Sequence, residues 1–154
     1  MTKYLPDGDP RWENVPNSTL VTQFKSLNKS FFVINTHGAW SPKAVDTPEK
    51  MRQGKILYEY IKKLRAPFIL AGDLNLTKDT IVIKNYQSLS ANLIDRYNVM
   101  NTLNPRLHYA KELFPKGLAV DYIFTSPEIR VKKFKVIDDI DLSDHLGLKL
   151  KFEV

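Results

Sequence analysis

Four short stretches of the sequence place acidic, amide or imidazole side chains beside apolar runs that are typical of strands. Side chains at strand ends are held rigidly by the sheet, so they are common as ligands and catalytic groups. The set has hard oxygen ligands and titratable imidazoles but no thiolate, which favours magnesium, manganese or calcium over structural zinc. The stretches are VINTHG with His37, LAGDLN with Asp73 and Asn75, AVDYIF with Asp121, and LSDHLGL with Asp144 and His145.

Each stretch also has a simpler explanation. Asp73 and Asn75 are favoured turn formers, so GDLN alone is equally consistent with turn chemistry. An isolated His37 is better explained as a hydrogen-bonded core histidine, SDH as a cap or turn, and His108, which lacks an acidic companion, as structural. Asp121 is different, because a carboxylate flanked by apolar and aromatic residues is costly to bury without a partner. We therefore expect Asp121 to be paired, and an imidazole is a natural partner.

Composition sets broad limits on the class of protein. The 154 residues amount to one domain or less, with ordinary hydrophobic (43%) and charged (26%) fractions. The absence of cysteine excludes disulfides, thiolate zinc sites and cysteine nucleophiles. No apolar run reaches membrane-spanning length and the start is too polar for a signal peptide, so a cytoplasmic location is the default expectation, with an upstream signal outside this chain as the alternative. A net charge of +6 favours polyanionic partners such as nucleic acid or anionic lipid.

The first half of the chain has clear secondary-structure signals. Prolines and turn pairs predict an irregular lead-in over residues 1–18, before a partial domain over residues 19–154. STLVTQFKSL and SFFVINTH, separated by NK, predict a β-hairpin. DTPEKMRQGKILYEYIKKLR predicts a helix with Thr47 as N-cap and Pro48 at its first position. Leu57, Ile61 and Leu64 form its apolar stripe.

The second half predicts further strands and two short helices. A strand, FILAG, leads into Asp73, and helical pieces are predicted around Ile81–Leu89 and Ala110–Leu113. LAVDYIFTS, EIRVKKFKVI and HLGLKLKFEV predict three strands, the last with a clean two-residue period. EIRVKKFKVI is typical of a strand with a solvated lysine face. This order predicts an α/β domain, with a mixed β-sheet layer and flanking helices.

The four motifs together resemble a known family. NTHGAW, GDLN, DYIFTS and SDHLGL are similar, in this order, to the motifs of the endonuclease/exonuclease/phosphatase superfamily, which has the deoxyribonuclease-I-like fold. The resemblance covers roughly residues 19–154, and Gly147 stands where the family often has proline. It implies hydrolysis of phosphoester bonds in nucleic acids, phosphoinositides, sphingomyelin or related compounds, usually with magnesium.

The resemblance also implies roles for the motif residues. Asp73 and Asn75 would lie against the scissile phosphate and the attacking water, and Asp144, with Asp73, would bind the metal. His145 would act as general base or stabilise the charged transition state.

Two further roles follow from the same resemblance. Asp121 would pair with His145 and orient its ring. His37 would contact the phosphate oxygens or assist the leaving group.

The chain departs from the family pattern before His37. The family has an early strand ending in an asparagine ligand and then a QE glutamate that binds the metal. Glu13, Asn14 and Asn17 lack such a strand. We therefore expect the C-terminal half to two-thirds of a four-layer αββα sandwich, with the inner face of its sheet exposed. A fragment of a longer protein is the favoured explanation; assembly with a second chain, and rearrangement or self-association, are the others.

Two functions of different classes remain open. The first is a metal-dependent, nuclease-like phosphoesterase acting on a phosphodiester, with nucleic acid favoured over lipid by the basic charge. The alternative is a catalytically inactive fragment or binding module of the same fold. A plain nucleic-acid binder ranks last, because aspartates at strand tips repel phosphate unless a metal intervenes. Trp40 and Tyr86 are expected to pack rather than stack on bases.

Overall fold

The computed structural model describes residues 17–26, 29–109, 111–139 and 141–154. Of the predicted lead-in, residues 1–16 lie outside the described residues. Residues 17 and 18 belong to neither a helix nor a strand. The described part of the chain contains seven strands, three α-helices and one 3₁₀ helix. The strands are β1 (Thr19–Ser26), β2 (Lys29–Thr36), β3 (Phe68–Asp73), β4 (Ala91–Asn92), β5 (Asp121–Thr125), β6 (Arg130–Ile137) and β7 (Gly147–Glu153).

The larger of two sheets has the strand order β1-β2-β3-β5-β4. β1 and β2 form the predicted antiparallel hairpin, with Thr19 opposite Thr36. β2 and β3 are parallel, and β5 runs antiparallel to β3. The predicted mixed sheet is therefore confirmed. β6 and β7 pair with each other in a separate two-stranded sheet.

The helix α1 (Pro48–Lys63) forms where its caps and apolar stripe predict it. The Thr47 hydroxyl accepts a hydrogen bond from the backbone N–H of Lys50 at 3.3 Å. Leu57 and Ile61 are buried, and Leu64 packs against the core. α1 is the crossover between the parallel strands β2 and β3. Its first turn therefore lies near the edge of the sheet at which both strands end.

Three shorter helical elements complete the fold: α2 (Ile81–Gln87), α3 (Leu93–Arg96) and a 3₁₀ helix (Lys111–Lys116). α2 was predicted. The 3₁₀ helix replaces the piece predicted around residues 110–113 and contains Pro115, which cannot donate a backbone hydrogen bond. β4 and α3 were not predicted, because two strand residues and one helical turn are too short to show a period.

α1 and α2 pack together on one face of the five-stranded sheet. The ring of Tyr86 in α2 packs edge-on against Phe124 of β5, with centroids 5.7 Å apart. Its hydroxyl donates to the carbonyl of Gly54 in α1 at 3.3 Å. Gly54 itself lies against Val82, so close that a Cβ atom there would be 2.6 Å from that side chain. Tyr86 is thus a buried packing residue, as expected.

The β6–β7 sheet lies on the opposite, inner face. The ring of Phe152 meets Phe31 of β2 edge-on at 5.4 Å, and Phe31 stacks on Phe24 of β1 at 5.2 Å. The cover is partial, since Phe24 remains 46% exposed and Leu20, four residues earlier in β1, is 65% exposed. The expectation of an open inner sheet face agrees with these exposures. No helix in the described part of the chain is long and apolar enough to cross a membrane.

Candidate active site

Three strands of the five-stranded sheet place polar residues at one edge. β2 and β3 run parallel, so the end of β2, followed by His37, lies beside the end of β3 at Asp73. β5 runs the other way and starts at Asp121, which is the direct cross-strand partner of Asp73. Motifs that are far apart in the sequence therefore meet because of strand direction and register.

The turn after β3 has an unusual backbone at two positions. Gly72 has φ +141, and a Cβ atom there would lie 1.9 Å from the carbonyl oxygen of Thr36, so only glycine fits between β3 and β2. Asn75 has φ +52, in the left-handed region. Its backbone N–H donates to Oδ1 of Asp73 at 2.7 Å, and its side-chain Nδ2 donates to the carbonyl of Gly38 at 3.1 Å.

The turn explanation and the functional explanation of GDLN are therefore both compatible with this geometry. Oδ1 of Asp73 closes the turn, while Oδ2 lies 3.6 Å from Nε2 of His37. The His37 side chain is 66% exposed, so the core-histidine explanation does not apply. The backbone after β2 is tied to the same place, because Gly38 N–H donates to the carbonyl of Asp73 at 2.7 Å.

Asp121 has the imidazole partner that its sequence context predicted. Nδ1 of His145 lies 3.0 Å from Oδ2 and 3.2 Å from Oδ1 of Asp121. This contact fixes the plane of the ring and leaves Nε2 for other partners. The pKa of His145 is raised above 6.5, chiefly by the hydrogen bond to Asp121 and against the effect of burial. A protonated imidazole is therefore favoured at this position.

The pKa of Asp73 is strongly perturbed by its surroundings in the cluster. Burial, followed by the negative charge of Asp121, raises the pKa of Asp73 to about 6. The N–H of Asn75 and the two neighbouring imidazoles act in the opposite direction but do not cancel the effect. Two carboxylates on adjacent strands thus lie close together, and a bound cation would reduce the repulsion between them.

The structure groups three potential metal ligands. Asp73, Asp121 and His145 each contribute a ligand atom, and these atoms lie within 4.8 Å of one another. Carboxylate oxygens suit a hard divalent cation, and burial together with the charge of Asp121 raises the pKa of Asp73, so a bound cation would stabilise the ionised pair. The residues present therefore fit a cation, with Asp73 and Asp121 as the oxygen donors.

Asp144, predicted as a metal ligand, lies outside this group. Asp144 is exposed, and its Oδ1 accepts a hydrogen bond from the Ser143 hydroxyl at 3.4 Å. Its backbone carbonyl accepts from the N–H of Asn104 at 2.8 Å, which anchors the loop next to His145. The structure thus brings His37, Asp73, Asn75, Asp121 and His145 together and leaves the Asp144 carboxylate at the periphery.

Two supporting residues were missed by the sequence analysis. The buried Thr102 hydroxyl donates to Oδ2 of Asp121 at 2.7 Å and accepts from the backbone N–H of Asp121 at 3.1 Å. The buried Asn104 side chain donates to Oδ1 of Asp141 at 3.0 Å and to the carbonyl of Ser143 at 3.2 Å. The polar run NTLN in a segment without periodicity was the only signal. These residues fix Asp121 and the loop before His145, respectively.

His108 lies next to the cluster but is not one of its ligands. Its ring is 6.3 Å from that of His145 and stacks on Tyr109 at 4.5 Å. Burial lowers its pKa, which favours the neutral ring. Its contacts agree with the expectation that His108 is a packing residue.

A cavity of about 600 Å³ opens beside the cluster, between β1 and α1. His37, Gly38, Arg52, Ile56 and Tyr60 are among the residues that line it. Asp73, Asp121 and His145 do not line it, and the cavity meets the polar cluster through His37 and through Leu74, the residue after Asp73. The polar cluster therefore lies beside this cavity rather than in it.

The chain is an α/β protein with an Asp–His pair beside a second aspartate at one edge of its sheet, and sequence comparison specifies the family. Residues 3–145 match the family described as the Endonuclease/Exonuclease/phosphatase family. The chain belongs to this family, as its motifs predicted. A search of curated proteins found no match.

Solved structures agree on the fold. The endonuclease/exonuclease/phosphatase from Bacteroides vulgatus superposes with a TM-score of 0.71 at 17% identity, over 90% of this chain and 56% of that one. The mannosyl-6-phosphatase of Bacteroides thetaiotaomicron gives 0.62 at 19%, over 82% and 52%. D. rerio TDP2 complexed with single strand DNA product gives 0.67 at 17%, over 90% and 62%. The chain thus spans little more than half the length of these structures.

Proposed function

We propose that this chain is a metal-dependent phosphoesterase module that hydrolyses a phosphodiester bond. The observation that carries the proposal is the convergence of ligand atoms from Asp73, Asp121 and His145 within 4.8 Å. His37 lies beside them, 3.6 Å from Asp73. Family membership supports phosphoester chemistry, and magnesium, with manganese or calcium as alternatives, is the cation that the oxygen donors favour.

Asp73 is the residue best suited to activate water. A carboxylate whose pKa is about 6 is ionised at neutral pH, yet it is basic enough to accept a proton as water attacks phosphorus. The bound cation would neutralise phosphate charge and polarise the bond that breaks. Asn75 offers a side-chain amide with two N–H donors, one of which Gly38 holds, so the other is available to a phosphate oxygen.

His145 is better suited to stabilise negative charge than to act as a base. Its raised pKa stabilises the imidazolium relative to that of a free histidine, and Asp121 fixes the ring through Nδ1. An imidazolium can donate to a phosphate oxygen or protonate the leaving oxygen as the P–O bond breaks. The more exposed His37 is proposed to contact the phosphate oxygens from the other side of Asp73 or to assist the leaving group.

Nucleic acid is the proposed substrate class. β6 and β7 place Lys133 opposite Lys151 and Lys135 opposite Lys149 on one exposed face, and the chain carries a net charge of +6. Like charges in direct cross-strand pairs are unfavourable, so a polyanion is a natural counter-charge. Among the structural relatives, TDP2 was solved with single-strand DNA product, whereas the name of the mannosyl-6-phosphatase indicates a small substrate.

A second candidate is an inactive fragment or binding module. The observation that favours it is the length of the chain, which spans 56% of the Bacteroides vulgatus structure. The open inner face, with Leu20 65% exposed, would then be covered by a second chain or by self-association.

Hydrolysis of bis-p-nitrophenyl phosphate with magnesium separates the two candidates. The phosphoesterase predicts turnover that EDTA abolishes and that His145→Ala reduces by about 100-fold or more. Asp139→Asn, a change at an exposed aspartate that is not one of the cluster residues, is the control and should retain the rate. An absence of turnover at every magnesium concentration would support the inactive module.

A further inference from the structure

A buried lysine on α1 lies next to the proposed site. Lys50 is only 2% exposed, although a charged side chain is rarely buried so completely without good partners. Its Nζ donates to the hydroxyl of Ser41 at 2.6 Å, to the carbonyl of Asn75 at 2.8 Å and to the carbonyl of Lys43 at 3.4 Å. One ammonium thus joins α1, the segment after His37 and the turn after Asp73.

The contact with Asn75 is the most informative of the three. Asn75 adopts φ +52, and its backbone N–H is held by the Asp73 carboxylate at 2.7 Å. Its backbone carbonyl is held by Lys50. A left-handed residue other than glycine persists where its surroundings fix it. Here the two anchors are the reactive carboxylate and a buried cation.

The same helix turn also reaches the segment after β2. Oε1 of Gln53 accepts from the backbone N–H of Ala39 at 3.2 Å, and Glu49 accepts from Nε2 of Gln53 at 2.9 Å. The start of α1 therefore contacts both segments that lead from the strand ends, one through Gln53 and the other through Lys50.

We propose that Lys50 is a positioning residue that sets the orientation of Asp73 and Asn75 through the Asn75 carbonyl. It acts through the turn and does not touch the substrate. The role in catalysis rests on the proposed phosphoesterase function, whereas the role in turn geometry does not. If Lys50 had a purely structural role, its loss would destabilise α1, β3 and the turn alike. If Lys50 positions the turn, its loss should alter the turn and leave α1 and β3 unchanged, and this difference makes the proposal testable.

The absence of cysteine from the chain permits a matched pair of test proteins. Lys50→Cys introduces a single thiol, which is alkylated in the unfolded chain before refolding. Aminoethylation restores an ammonium at nearly the reach of lysine, and carbamidomethylation gives a neutral side chain. Lys55→Met, at an exposed position on the same helix, controls for the loss of a lysine.

The first readout is amide NMR with hydrogen exchange in the absence of substrate. The neutral chain should show a displaced Asn75 signal that exchanges about tenfold faster or more, while the amides of Leu57 and Ile61 in α1 exchange as in the wild type. The aminoethylated chain and Lys55→Met should match the wild type at all three positions.

The second readout is turnover of bis-p-nitrophenyl phosphate. The neutral chain should lose about tenfold or more in kcat with little change in KM, and aminoethylation should restore kcat. If the wild type has no turnover, the phosphoesterase function fails while the NMR result still decides the positioning role. The proposal is overturned if Asn75 is unchanged in the neutral chain, if protection is lost evenly across α1 and β3, if the neutral chain does not fold, or if the ammonium does not rescue Asn75.

Discussion

At the scale of single residues, Asp73 and Asp121 have proposed roles in phosphoester hydrolysis, but their two carboxylates repel each other. The two residues pair directly across β3 and β5, and their charges repel. Each carboxylate is held by donors, Asp73 by the N–H of Asn75 and Asp121 by Thr102 and His145. Burial, followed by the repulsion that remains between the two carboxylates, raises the pKa of Asp73 into the range useful for a base.

Replacement of Asp73 by asparagine should stabilise the metal-free fold at neutral pH. The pKa of Asp73 is raised from 3.8 to about 6 on folding, so its contribution to stability is present below pH 3.8 and lost as pH rises through 6. Asp73→Asn should therefore raise the free energy of unfolding at pH 7.5 by about 3 kcal/mol. The gain should shrink as the pH falls from about 6 toward 3.8. Urea unfolding in EDTA measures this, with Asp139→Asn as the control; equal stabilities of Asp73→Asn and wild type at pH 7.5 would contradict it.

The pKa of His145 should depend on its partner. The hydrogen bond to Asp121 is the main cause of the raised value, so Asp121→Asn should lower the pKa of His145 toward or below 6.5. In the wild type the pair stabilises the fold most below pH 6.5, and this contribution is lost as pH rises through the folded pKa. NMR titration of the ring Cε1–H in EDTA measures the change. An unaltered titration curve in the variant would exclude the pairing.

At the scale of elements, the approach of β2 and β3 brings the His37 segment to Asp73. Gly72 is the residue that permits this approach, because the Thr36 carbonyl occupies the place of a Cβ atom. The start of α1 then supports both strand ends from the helix side, through Gln53 and Lys50. The site thus depends on contacts between elements that are distant in sequence.

Gly72→Ala should be among the most damaging small substitutions in the chain. A methyl group would lie 1.9 Å from a backbone oxygen at φ +141, so the free energy of unfolding should fall by about 3 kcal/mol or more. Gly147→Ala is the matched control, since its Cβ would meet only the Ile137 side chain, at 3.4 Å. Chemical denaturation compares the two; similar small losses in both variants would show that β2 and β3 do not need glycine at position 72.

The elements that the sequence could predict are those with a complete periodic signal. The β1–β2 hairpin, α1 and the alternation in β7 were correct, because caps, turn residues and two-residue periods are local properties. The motif residues His37, Asp73 and Asp121 stand out in the sequence for a similar reason, since each interrupts an apolar strand pattern, and their functional roles stay predictions. Thr102 and Lys50 could not be found, because a buried threonine or lysine is recognised only by its partners in space. The peripheral place of the Asp144 carboxylate also depends on the conformation of a loop.

At the scale of the whole molecule, the inner face of the five-stranded sheet is incompletely covered. The β6–β7 sheet reaches Phe31 through Phe152 but leaves Leu20 and Phe24 exposed on β1. The chain also spans little more than half of its structural relatives. An additional strand layer, supplied by another chain or a second copy, would bury this face.

The isolated chain should therefore self-associate through the β1 face. Exposed apolar side chains on one sheet face favour association, so we expect a molar mass above 17.8 kDa at high protein concentration. Leu20→Lys should shift the chain toward the monomer, whereas Leu142→Lys, at an 87% exposed loop position, should not. Analytical ultracentrifugation gives the distribution. A wild-type chain that stays monomeric across the concentration range would contradict the expectation.

A magnesium titration followed by amide NMR tests most directly whether distant segments form one cation site. The signals of Gly38, Asn75, Asp121 and His145 should move together with a single apparent Kd, because their segments meet at one sheet edge. Asp73→Asn should abolish the shifts, and Asp139→Asn should leave them unchanged. Signals that do not move at about 10 mM magnesium, or that move with unrelated affinities, would contradict a shared phosphoesterase site in this chain.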